Sequence, residues 1–374
     1  MKFLFEYSEF YVILNKHVRE NCSLKQLKYL GGKKIMEMLK GIALLLLVLS
    51  IFSLFSLKMP KGMKAMGALA NAAVATFLVE AFQRYVGGDL IGIEFLGKVG
   101  DSSGSMGGVA AATLVALALG VSPVYAMLIG AAVLGYGIIP GFVAGYVLAF
   151  IVPKIEKKAP AGLDLIICLV LVAPAARGIA LLADPVVNQT LLNIGSVITA
   201  ATTKSPMVMG IVLGGVITVV ATAPLSSMAL TAMLGLTGLP MAIGALAVMG
   251  SSFLNPVLFH RLKLGNKETV IAVAIEPLTQ ADVISVNPIP VFVTNFIGGA
   301  LAGLVVVHFG LINNAVGTAT PIAGLAVMFG FNPAITVIKA ALLCAAAGAF
   351  SGFLGSVIFK NYKIIPADVV RGTK

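Results

Sequence analysis

Long apolar runs succeed one another along the chain from Gly41 to Phe359, divided by short knots of glycine, proline and charge. A hydrocarbon core about 30 Å thick takes about 20 helical residues to cross. GIALLLLVLSIFSLFSL (Gly41 to Leu57) approaches that length, as do Met66 to Phe82, Leu163 to Leu182 and Leu239 to Phe259. Val124 to Val152 exceeds it. This run carries Gly137, Gly141 and Gly145 four residues apart, a flat stripe that lets another helix backbone approach closely. Asn332 to Phe359 reads as a last long helix, with Asn332 as N-cap and Pro333 at its first position. The apolar blocks are continuous rather than alternating, which excludes a closed β-barrel and leaves helices as the way to satisfy the backbone in lipid.

Several blocks do not read as simple spans. Gly87 to Gly108 is glycine-rich and polar, and Val109 to Leu119 is too short to cross. The glycine-rich part lacks the Gly-Lys-Ser/Thr ending of a phosphate loop, so a broken or re-entrant helix is expected there. Thr203 to Met233 has an apolar arm, a Thr-Ala-Pro-Leu-Ser-Ser centre around Pro224, and a second arm. Thr269 to Ile275 begins a similar unit, with a polar centre from Glu276 and a second arm after Pro290. The basic loops Pro153 to Pro160 and His260 to Lys267 and the tail with Lys360, Lys363, Arg371 and Lys374 belong on the cytoplasmic side. An even number of crossings must separate them, and the apolar blocks outnumber that parity. The expected fold is an all-α integral membrane protein with about 8–10 transmembrane helices and two re-entrant hairpins, the interruptions from which transporters build substrate sites.

Composition agrees. Of 374 residues, 59% are hydrophobic and 11% charged, against about 25% charged in soluble domains. The net charge of +11 sits in short loops and at the two ends. It therefore reads as loop asymmetry across a lipid bilayer and not as a nucleic-acid surface. Cys22, Cys168 and Cys344 show no paired spacing, so neither a disulfide framework nor a zinc site is expected. No cofactor is implied. Residues 1–35 form a polar extension, with seven Lys or Arg against three Glu. It reads as a surface helix or as untranslated sequence, because Leu30 to Met36 can be encoded as a ribosome-binding site ahead of a start at Met36. The expected division is residues 36–160 as a first membrane half, 161–359 as a second half with the hairpins, and 360–374 as a cytoplasmic tail, all one domain.

Candidate chemistry centres on VAIEPLTQADVISVNPIP, Val273 to Pro290. Glu276 follows an apolar arm and precedes a proline that cannot continue a helical ladder. An ionised carboxylate in lipid costs at least a few kcal/mol, so it must face a cavity, a cation or water. Accepting hydrogen bonds from sugar hydroxyls suits it. Its position only eight residues beyond Glu268 leaves an interfacial loop as the alternative. Asp282 reads as a loop or capping residue, with a place in the site as the alternative. Lys339 and Arg177 lie in apolar context, where pairing with Glu276 or an anionic substrate competes with snorkelling to the nearer interface. His308, in LVVVHF, reads as a packed histidine.

Val273 to Pro290 resembles the Ile-Thr-Glu-Pro segment of sugar-transporting IIC subunits of the bacterial phosphotransferase system, where a Glu-Pro pair precedes an Asn-Pro as Glu276-Pro277 and Asn287-Pro288 do here. Leu134 to Pro160 resembles a region of fructose-type IIC subunits. Thr222 to Leu230 stands where those have a Gly-Gly-Pro-Val-Asn-Lys turn, and Gly317 to Met328 where they have Pro-Ala-Pro-His-Gly-Gly. The likeness covers Leu90 to Phe359 and is greatest to IIC-like proteins labelled perfringolysin O regulators. It implies a substrate site of Glu276, Pro277, Asn287, Ser226, Ser227 and Thr320. Two departures matter: Ser226-Ser227 replace the Asn-Lys pair, and Thr320-Pro321 the histidine, so fructose itself is not the implied substrate.

The same resemblance implies a permease subunit that moves a sugar by alternating access. One domain bearing the hairpins would move against a dimerising scaffold, in a homodimer. The chain has no IIB-like cysteine domain and no IIA-like histidine domain, so phosphate would come from separate EIIB and EIIA proteins. The alternatives are a transporter uncoupled from phosphorylation and a non-transporting sensor that keeps the fold.

Overall fold

The computed structural model describes residues 24–160, 162–223 and 225–372. Most of the polar extension, with Cys22, and the hairpin centre at Pro224 lie outside the described residues. Every regular element among the described residues is helical. Seven helices are long and apolar enough to cross a membrane, or eight if one bent pair counts as a span. The count falls at the lower edge of expectation because several apolar blocks fold back instead of crossing.

Helix α1 (Leu24–Lys58) runs without a break through Ile35 and Met36. Helix α2 (Gly62–Leu90) contains two π-helical stretches. The pair α3 (Glu94–Ser105) and α4 (Gly107–Leu119) returns antiparallel to α2 with a 55° bend at Met106, the interruption expected in the glycine-rich block. The long run from Val124 is not one span. Helix α5 (Pro123–Ala132) stops at a turn, α6 (Ile138–Leu148) reverses direction, and the short α7 (Val152–Lys158) follows. The Ser122 hydroxyl donates to Glu156 over 3.0 Å and the Tyr146 hydroxyl to the Pro60 carbonyl over 2.8 Å, so α5 and α6 enter and leave at one end of the bundle. The glycine stripe still packs as read: Gly141 lies against Gly108, and Gly145 against Ala112.

Helix α8 (Leu163–Lys204) is 42 residues long and absorbs Pro185 in a π-helical turn. Helices α9 (Pro206–Thr222) and α10 (Ser227–Met233) form the first hairpin, and α11 (Leu239–Leu262) is a deeply buried span. Helices α12 (Lys267–Ile275) and α13 (Ala281–Val286) form the second hairpin, and α14 (Pro288–Phe309) crosses. After α14 the chain dips inward and returns along α15 (Pro321–Met328) before α16 (Ala334–Ile358) crosses and the short α17 (Ala367–Arg371) ends the description. This third inward excursion is closed at its root by Asn332. Its side chain accepts from Ile312 N–H over 2.9 Å and donates to the Ile312 carbonyl over 2.7 Å. Asn332 therefore does not cap α16, whose N-terminus is Pro333 without a side-chain cap. Two exposed peptide groups of the loop compete for the amide and win it.

Side-chain contacts order the ends. Lys61 donates to the Leu119 carbonyl over 2.7 Å, placing the loop after α1 beside the end of α4 and the Lys154–Lys158 segment. At the opposite end Glu37 pairs with Lys204. Gly210 of α9 packs on Gly303 of α14, and Asn255 of α11 faces Asn295 of α14. The loops at residues 58–64, 153–160 and 260–267 and the C-terminal segment thus share one end of the bundle, the basic one.

Candidate functional site

Three inward excursions meet inside the bundle. The first, between α9 and α10, enters from the far end. Its Ser226 adopts φ +29°, a conformation side-chain-bearing residues rarely take, and its hydroxyl accepts from Ala229 N–H over 3.2 Å to cap α10. The second enters from the basic end along α12, which Asn266 caps by accepting from Thr269 N–H over 2.9 Å. Nine residues at 1.5 Å each carry Glu276 about 13 Å inward, near the middle of the core. There the helix stops because Pro277 supplies no N–H, and Glu276 turns extended, at φ −148° and ψ 101°. Thr279 folds over the break by donating to the Glu276 carbonyl over 2.7 Å. The third excursion brings extended Thr320 from the far end, with Pro321 opening α15.

Two hydrogen bonds join the tips. The Ser227 hydroxyl donates to the Ala319 carbonyl over 2.7 Å, and the Thr320 hydroxyl donates to Glu276 Oε2 over 3.3 Å. Ser226, Ser227, Pro277 and Thr320 are buried and Glu276 is half-buried. Beside the junction, Ala274, Ile275, Pro321 and Ile322 border an open surface groove of about 520 Å³ lined almost wholly by apolar side chains. A carboxylate among hydroxyls, beside an apolar wall, can accept from a polyhydroxylated guest while the wall meets its C–H face.

The remaining residues singled out in the sequence lie elsewhere. Asn287 is fully buried at the base of the second hairpin. Its amide donates to Val283 O over 2.9 Å and to Ile365 O over 2.8 Å, and accepts from Ile365 N–H over 2.9 Å. Asp282 lies on the basic side of the tip, held by the Nε and Nη2 of Arg371 at 2.8 and 3.0 Å. That guanidinium holds the Asp282 carboxyl below the usual aspartate range, against a smaller opposing effect of burial. Lys339 is exposed on the second turn of α16. Arg177 donates to the carbonyls of Ala132 and Leu134 at 3.0 and 3.1 Å, closing the end of α5, and stacks over Tyr136. His308 is near the far end of α14, edge-on to Phe309.

Gln280, Ala319 and the pairing of the tail's Arg371 with the second hairpin escaped the sequence reading. Arg371 Nη2 donates to Gln280 over 2.8 Å as well as to Asp282. Among the described residues no group of three or more His, Cys, Asp and Glu is placed to hold a metal ion.

Interrupted helices that meet at membrane depth around a carboxylate and hydroxyls define a polytopic membrane protein of the permease class. The particular family is the one described as Phosphotransferase system, EIIC: the match runs over residues 63–371, more than four-fifths of the chain, and the protein belongs to that family. It is a membrane subunit of a phosphotransferase-system permease, a family that takes sugars and works with EIIB and EIIA proteins. No curated protein and no solved structure matches it.

Proposed function

We propose that the three-tip junction binds a sugar and carries it across a bacterial plasma membrane by alternating access, for phosphorylation by a separate IIB protein. Glu276 is the principal hydrogen-bond acceptor for the sugar hydroxyls. Ser226, Ser227 and Thr320 supply neutral hydrogen bonds, and Pro277 sets the turn that keeps the carboxylate out of the helix. Asn287 seats the hairpin, and residues 161–359 move against a scaffold formed by 36–160, through which two copies pair. The fructose-like subgroup fits the order of the motifs, while Ser226-Ser227 and Thr320-Pro321 point to a different sugar.

The observation that carries this reading is the Thr320–Glu276 hydrogen bond, which brings together residues 44 positions apart from two separate excursions. Charged acceptors contribute about 1.5–3 kcal/mol per hydrogen bond, so Glu276→Gln should weaken sugar binding by roughly ten- to a hundredfold with the thermal transition unchanged. Titration calorimetry of the purified protein with a panel of hexoses and hexitols reads this, and unchanged affinity for the sugar that binds wild type removes Glu276 from the site. Uptake into proteoliposomes with and without a IIB protein then separates coupled transport from flux that needs no phosphoryl donor, and both from binding without flux.

A further inference from the structure

The segment after α16 takes no part in the junction, yet it is fastened to the second hairpin at several points. Ile365 is bracketed by the Asn287 amide through both its N–H and its carbonyl. Two residues on, Ala367 N–H donates to the Leu264 carbonyl over 2.8 Å, and the Ala367 side chain is buried. Arg371 then reaches back to Asp282 with two nitrogens and to Gln280 with one of them.

These fastenings differ in kind. Ile365 is partly open, but Asn287, Leu264 and Ala367 are buried, so breaking the Asn287–Ile365 or Leu264–Ala367 bonds leaves a polar group of the buried partner without water. The Asp282–Arg371 pair is open to solvent, with side chains 42% and 37% exposed. Arg371 also lines a pocket of about 540 Å³ with Lys263, Asn266, Glu268, Thr269 and Asp368, at the basic end of the bundle. One part of the segment is a fixed anchor and the other can be released from the aqueous side. What the releasable part holds is α13, six residues long, which connects directly to the Glu276 turn through Pro277–Gln280.

We propose that residues 364–371 are a strap across the base of the second hairpin, and that the Asp282–Arg371 pair is its clasp. Closed, the clasp holds α13 and keeps the Glu276 tip in contact with Thr320. Open, it frees α13 and the Pro277–Gln280 turn to move toward the basic end while Asn287 keeps the root in place. Asp282 and Arg371 are thus positioning residues acting through Glu276. Their importance for transport rests on the sugar-site reading, whereas the clasp itself can be tested without any substrate.

Hydrogen–deuterium exchange with mass spectrometry on the full chain in lipid nanodiscs makes that test. Arg371→Glu should speed exchange of the amides at 277–286 by about fivefold, the upper range for a half-exposed ion pair, and leave α14 and α16 at wild-type rates. Adding Asp282→Arg restores the pair with reversed charge and should return the hairpin to wild-type exchange. Unchanged rates in Arg371→Glu overturn the proposal. So does acceleration spread over the whole bundle that the reversed pair does not correct, because that pattern marks a general folding defect.

Discussion

Replacing Gly145 with alanine tests the packing on which the reversed α5–α6 pair depends. A Cβ at this position would lie 2.5 Å from the Ala112 carbonyl oxygen, 2.8 Å from its Cα and 3.0 Å from its carbonyl carbon. All three are main-chain atoms of α4, so no side-chain rotation can make room and the two helices must separate. Overpacking of this kind costs about 1–3 kcal/mol, occasionally more. Alanine also favours a helix over glycine by about 1 kcal/mol, which masks part of the cost. Gly178, inside α8 with nothing within 4 Å of its would-be Cβ, supplies the control. There only the favourable contribution operates, so Gly178→Ala should raise the transition temperature slightly while Gly145→Ala lowers it. The helix-propensity gain cancels between the two variants, and their difference measures the clash alone. Cys168 and Cys344 are fully buried and free, so a thiol-reactive fluorophore added during a detergent-solution melt reports unfolding. Equal or higher transition temperature in Gly145→Ala than in Gly178→Ala would refute the contact and, with it, the close parallel seat of α6 on α4.

Two more outcomes can be measured. Changing Ser226 and Ser227 together to alanine removes the α10 cap and the hydroxyl on Ala319. It should weaken sugar binding less than Glu276→Gln does, since neutral hydrogen bonds contribute roughly 1 kcal/mol each; wild-type affinity by calorimetry would mean that the first tip does not touch the sugar. The Asp282 carboxyl, facing Arg371 and Gln280 with Asp368 and Glu268 on the adjoining pocket, is held below its ordinary value of 3.8 chiefly by the Arg371 hydrogen bond. A carboxyl lowered on folding stabilises when ionised, so the clasp is complete above its ordinary range and is lost as pH falls through the lowered value. Exchange at 277–286, corrected for intrinsic rate, should therefore be flat from about pH 8 to 5, and a rise within that interval would show that another group controls the hairpin.

Much of this architecture is legible in the chain because lipid imposes few options. The Glu276 break is readable from a carboxylate and a proline that ordinary spans avoid, and the bend at Met106 from the glycines around it. The turn inside Val124–Val152 is not, because Val133 to Gly137 is as apolar as its flanks and only Gly135, at φ +87°, marks the reversal. Asp184-Pro185 misleads in the opposite direction: it looks like the end of a span, whereas a π-helical turn carries α8 through it. The third excursion exceeds the two hairpins expected: the likeness of Gly317 to Met328 to a known motif points to Thr320 but not to the inward path, because residues 310–320 have no helical periodicity and α15 is only eight residues long. Arg371 could not be matched to Asp282, 89 residues earlier, by any local pattern, because both read alone as ordinary loop charges.

The hydroxyl of Thr320 belongs to a loop rooted in one leaflet and the carboxylate of Glu276 to a hairpin rooted in the other. Their contact is consequently a seam between two anchorages that the lipid itself holds apart. Thinning or thickening the bilayer shifts those anchorages against each other at a cost of fractions of a kcal/mol per Å, which over a few Å approaches the worth of the one hydrogen bond across the seam. Lipid chain length thereby becomes a variable of the binding chemistry, acting without touching a single residue that meets the guest.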